Sequence, residues 1–194
     1  MKRACILAAA ALLAGPPLLA QDTPAPDPQV AAAVQPLPEE FREGATVLGY
    51  RAGSTELVPL REGSGPFICL ADDPAEAPRF HVACYHRSLA DFMARGRALR
   101  AAKVENVDSV RYAEIDAGTL AMPEHAAALY SLSAEEGTPD PATGVVAGAR
   151  PLTVIYLRGA TPESTGISAQ PKPGEPWLMF PGTPRAHIML VPRM

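Results

Sequence analysis

Short apolar runs broken by glycine and proline alternate along this chain with two segments of helical rhythm. Ala45–Tyr50 and Thr55–Leu60 read as two short strands, with Arg51-Ala52-Gly53-Ser54 supplying turn chemistry between them. Gly63-Ser64-Gly65-Pro66 breaks the chain again before a third strand, Phe67–Leu70. Together the three predict an antiparallel meander. From Ser88 to Ala102 the period changes: Leu89, Phe92, Met93, Gly96 and Leu99 recur at helical spacing and form one buried stripe. Ser88 and Asp91 give this helix a capping-box-like start. Arg95 and Arg97 flank the stripe, where their stems cover apolar surface and their heads are solvated. An anion site is the competing reading of that pair, although no phosphate-binding loop accompanies it.

A second helix is predicted over Asn106–Ala117, stopped by Gly118. Ala127–Ser133 follows as a strand, and Glu135–Gly148 as a polar loop. Leu152–Leu157 is rich in β-branched and aromatic residues and is the clearest strand. Residues 159–176 form a long loop punctuated by glycine and proline. In the last strand, Ala186–Val191, alternation puts His187, Met189 and Val191 on one face and Ile188 and Leu190 on the other. The fold class expected is α+β: a small, largely antiparallel sheet with two consecutive helices packed on it.

The amino terminus changes the setting in which this domain is read. Lys2 and Arg3 precede an apolar run from Ala4 to Ala14, then Gly15-Pro16-Pro17-Leu18-Leu19-Ala20. That order is a secretory signal peptide over 1–20, too short to span a bilayer. Residues 21–38 are rich in proline and alanine and read as a disordered tether, with a short helix near Glu39–Glu43. The single α+β domain then covers 39–194. Without Lys2 and Arg3, the 17 basic residues fall to 15 against 21 acidic ones, a net charge of −6. That balance argues against nucleic acid or an anionic membrane as partner. No second apolar segment is long enough to cross a membrane, and a periplasmic or secreted location is expected.

Export also decides how the cysteines are read. Cys5 falls in the signal, leaving Cys69 and Cys84. Two cysteines in an oxidising compartment predict one disulfide, closing a loop worth about 3 kcal/mol in the chain-entropy model and pinning the third strand to the start of the main helix. The alternative is a metal site using His81, Cys84, His86 and His187. Zinc or copper accepts these ligand types, but the spacing matches no finger, Rieske or blue-copper pattern. Asp72-Asp73 reads as turn chemistry, and Trp177–Pro181 as core or packed loop. Ser64, Ser164 and His125 lie in loops, and no G-x-S-x-G elbow is present.

Phe67-Ile68-Cys69, Cys84-Tyr85-His86, the Ser88–Ala102 helix, Leu129-Tyr130-Ser131-Leu132 and His187-Ile188-Met189 occur in an order that resembles a class of exported bacterial proteins with no assigned activity. The resemblance implies an exported globular domain and favours treating the two cysteines as a unit. The leading expectation is a non-catalytic binding or envelope-associated module stapled by one disulfide, without a cofactor, whose protein or small-molecule partner the sequence does not name. A metal-binding protein or metalloenzyme using Cys84, His86 and His187 is the first alternative, and a serine-type hydrolase the second.

Overall fold

The computed structural model describes residues 26–192; the expected signal peptide and the first residues of the expected tether lie outside them. Eight strands form one mixed sheet: β1 (Thr46–Tyr50), β2 (Leu57–Arg61), β3 (Phe67–Leu70), β4 (Phe80–His86), β5 (Ala127–Ala134), β6 (Arg150–Tyr156), β7 (Trp177–Met179) and β8 (His187–Leu190). Their order across the sheet is β2-β1-β3-β4-β5-β6-β8-β7. The helices among the described residues are α1 (Pro26–Ala33), α2 (Glu39–Arg42), α3 (Ala90–Ala101), α4 (Val107–Asp116) and α5 (Pro162–Thr165). The molecule is thus α+β, but mostly sheet.

Several expectations change. The sheet is wide rather than small. β3 does not continue a meander from β2; it crosses back to pair with β1 in parallel, Val47 facing Cys69, while the other neighbours are antiparallel. The missing piece in the sequence reading is β4, a central strand buried on both faces, which therefore lacks the alternation that marks a half-exposed strand. Trp177–Met179 is also a strand, pairing with the last one.

The tether needs correction too. Residues from Pro26 on fold back as α1 and the turn after it, and Ala33, Val34 and Leu37 are buried against Val47, Phe67 and Cys84. Its anchoring is polar as well as apolar. The Gln29 side-chain amide donates to the Tyr50 carbonyl and its oxygen accepts from the Tyr50 amide, both at 2.9 Å. Proline at the start of this segment is compatible with a helix, because the first turn needs no donor from it.

The sheet is covered on both faces. Val82 and Cys84 of β4 lie on the α1 side, and Tyr85 on the other with Leu89, Phe92 and Ile115 of the α3–α4 pair. Of the expected stripe, Leu89, Phe92, Gly96 and Leu99 are buried and Met93 is half-buried. Its cap differs: a single turn of 3-10 helix, Arg87–Leu89, leads in, and His86 rather than Ser88 supplies the capping acceptor, taking the Ser88 amide on Nδ1. Gly118 ends the α4 region at φ 72°, as a helix stop should.

Candidate functional site

Cys69 and Cys84 face each other across the β3–β4 ladder and form a disulfide, both side chains fully buried. The bridge therefore ties strand to strand inside the core and does not reach α3. Cys84 Sγ sits 3.1 Å from the Ala33 carbonyl; an oxidised sulfur has no proton to donate, so this is a packing contact.

The alternative metal ligands are not brought together. Along β4, His81 and Cys84 are an odd number of residues apart and project from opposite faces. His86 is spent locally: its Nδ1 lies 2.8 Å from the Ser88 hydroxyl and accepts the Ser88 amide, and its ring meets Phe67 edge-on. His187 lies on β8, three strand spacings or about 14 Å across the sheet from β4. No group of three metal-ligating side chains gathers among the described residues. The hydrolase reading fares similarly. The Ser88–His86 contact is a cap, and no carboxylate orients that histidine among the described residues. Ser164 is engaged in a capping box with Thr161, and His125 and Ser64 are exposed. Asp73 accepts the Ala75 amide and Asp72 the His81 amide, which is the expected turn chemistry. Arg95 pairs with Glu114, and Arg97 reaches the Tyr85 hydroxyl and ring.

A different constellation emerges where α3, α4 and the approach to β8 converge. A cleft of ≈ 460 Å³ opens there. That is a size ordinary for small-molecule sites, which run from about 300 to 1,000 Å³. Its floor is Phe92, Met93 and Tyr156; Asn106 to Ser109, at the start of α4, form one wall; Arg100, Arg111 and Arg185 supply the charge.

Arg111 is the centre of this arrangement. It is 5% exposed, against a norm of solvated arginines. Its guanidinium lies 3.9 Å over the Phe92 ring, a cation–π contact. It donates through one terminal nitrogen to the Phe92 carbonyl at 3.2 Å and through the other to Asp108. Its Nε has no acceptor among the described residues. Space for it is made by Gly96: a Cβ there would stand 2.7 Å from Arg111 Nη1 and 3.5 Å from Arg100 Nη1. The helix stripe thus carries a glycine where two arginine heads pass.

Asp108 is the only carboxylate lining the cleft among the described residues. One of its oxygens accepts from Arg111 and the other from Arg185. Arg185 also stacks 4.2 Å over Phe180. Arg100 has no ion-pair partner among the described residues; burial, and then the charges of Arg111 and Arg97, lower its hold on its proton. Its head and that of Arg111 lie within about 6 Å of each other, judged from their common approach to Gly96. Two like charges at that distance repel by about 3 kcal/mol at an effective dielectric of 20, before Asp108 and solvent offset it. Arg100 stays partly open to solvent, and the cleft keeps a net positive charge.

The backbone adds to that charge. α4 begins at Asn106, in the left-handed conformation (φ 54°), and no side chain caps it. The amides of Val107, Asp108 and Ser109 make no well-formed hydrogen bond among the described residues, and these residues line the cleft at the positive end of the helix. His187 stands behind the site. Its Nδ1 is 2.8 Å from the Arg185 carbonyl, and its ring packs on Tyr156 and Phe180. Burial pushes its pKa down, so it is neutral at pH 7 and donates from Nδ1, fixing the backbone that presents Arg185.

Sequence reasoning placed the anion alternative on Arg95 and Arg97 and missed Arg100, Arg111 and Arg185. The one local signal was Gly96, a poor helix former kept inside an apolar stripe. No family model, curated protein or solved structure matches this chain, so the reading of the cleft rests on its own geometry.

Proposed function

We propose that the protein is an exported, non-catalytic binding module that captures a small anionic molecule in the cleft between α3, α4 and the start of β8. The observation that carries this reading is a cleft lined by three arginines, two of which share its single carboxylate among the described residues while Arg100 pairs with none, beside a helix start that no side chain caps. Cationic, hydrogen-bonding walls beside Met93 and Tyr156 fit recognition of an organic anion. Support for export comes from the charged, apolar and small-residue order of the first twenty residues, with which the buried Cys69–Cys84 bridge is compatible. Among the described residues the cleft holds no nucleophile paired with a base: Ser109 is exposed on α4 and His187 is turned to the Arg185 carbonyl. This favours binding over turnover.

The test is thermal denaturation of the protein from residue 21 onward with anionic, neutral and cationic small molecules, at low and moderate salt. Anions should raise the melting temperature progressively with concentration, as the logarithm of ligand over its Kd, and less so as salt screens the site. Equal effects from all three classes, or chemical conversion of the added compound, would contradict the proposal.

A further inference from the structure

From this cleft we infer that the anion is a phosphomonoester: its phosphoryl group sits at the start of α4, and its organic part lies toward Met93 and Tyr156. The inference rests on the binding-module reading and adds the ligand class.

Three observations select phosphoryl over carboxylate. The first is charge. Arg100, Arg111 and Arg185 against Asp108 leave a surplus of two positive charges, which a phosphomonoester, carrying about −1.5 to −2 at pH 7, matches and a monocarboxylate does not. The second is direction. Donors come from three elements: the unpaired Arg100 head from α3, the Val107, Asp108 and Ser109 amides from α4, and the unshared guanidinium nitrogens of Arg185 from the segment before β8. A planar carboxylate is satisfied by one arginine fork, whereas three peripheral oxygens on a tetrahedron use donors from three sides. The third is the buried Arg111, 5% exposed with Nε unsatisfied, which holds fixed positive charge in the wall of the cleft. Asp108 already bridges Arg111 and Arg185, so the ligand enters beside it, toward Arg100 and the α4 amides. At ≈ 460 Å³ the cleft has room for more than a bare ion.

The experiment is calorimetric titration of the protein from residue 21 onward at low salt with glycerol 3-phosphate, inorganic phosphate and succinate, and sedimentation with phosphatidic acid vesicles against phosphatidylcholine vesicles. Glycerol 3-phosphate should bind roughly tenfold or more tightly than succinate. Arg100→Gln and Asn106→Asp should each weaken it by roughly tenfold without lowering the melting temperature of the free protein. Arg100 has no partner to lose among the described residues, and the Asn106 side chain makes no cap hydrogen bond to lose, while an acidic residue suits a helix start. Co-sedimentation with phosphatidic acid alone would assign the phosphoryl group to a lipid headgroup, and binding of the soluble ester would assign it to a free metabolite; either supports the inference. Succinate binding without phosphate binding overturns the phosphomonoester and leaves the anion module standing. Binding of no anion overturns both.

Discussion

Gly96 is where the sequence and the site meet at the scale of one residue. Any side chain there drives into Arg111 Nη1 and crowds Arg100. Gly96→Ala would gain helix propensity of about 1 kcal/mol on an unconstrained helix; here it should lower the melting temperature and weaken anion binding together, as read by thermal denaturation with and without glycerol 3-phosphate. A stabilised variant with intact binding would show that the arginine heads have other places to go. Two titrating residues give pH signatures of opposite sign. His187 has a pKa held below the ordinary 6.5 by burial, so the unfolded chain binds its proton first, and stability is lost as pH falls below about 6.5. Asp72 has its pKa pushed up to about 6, chiefly by burial, so the native state holds the proton more tightly, and stability is lost as pH rises from about 4 to 6. Urea denaturation across pH 4–8 should separate them. His187→Asn, which keeps a donor toward the Arg185 carbonyl, should remove the acid-side loss. Asp72→Asn should flatten the opposing slope.

At the scale of elements, the structure depends on two attachments that sequence rhythm describes unequally. The disulfide was legible from compartment and parity; its partners, two adjacent strands, were not, because β4 is apolar on both faces and shows no period. Cys69→Ser with Cys84→Ser should cost about 3 kcal/mol, the chain-entropy value for a loop of this length, measured by urea denaturation. No change would mean that core packing alone fixes the β3–β4 register. α1 was hidden by composition: prolines suggested a tether, while Ala33, Val34 and Leu37 supply a small apolar face. Its second anchor is Gly144, which sits at φ 73° and whose Cβ would stand 2.3 Å from the Ala31 carbonyl carbon. The Gln35 side chain also donates to the Thr143 carbonyl at 2.7 Å. Gly144→Ala should therefore cost about 2 kcal/mol or more and speed hydrogen exchange in residues 29–33. Unchanged exchange there would return α1 to the status of an appendage. β1, β2, β3, β5, β6 and β8 and both long helices were readable from pattern. The parallel β1–β3 pairing was not, since register between distant segments leaves no local trace.

For the whole molecule, net charge and local field point in different directions. The acidic balance that argues against nucleic acid says nothing about a cleft lined by three of the arginines and one aspartate. Arg100, Arg111 and Arg185 come from α3, α4 and the approach to β8, so only the folded topology brings them together, and a reading of adjacent residues chose Arg95 and Arg97 instead. Among the described residues no helix is long and apolar enough to cross a membrane, and the site faces outward from the helical layer. The most direct measurement is an amide NMR titration of the isotopically labelled protein with glycerol 3-phosphate at low salt. The account predicts saturable shifts centred on the Val107, Asp108 and Ser109 amides and on the side-chain signals of Arg100 and Arg111, absent in Arg100→Gln. Shifts centred elsewhere, for example in the loop before β7, or none at all, would contradict it.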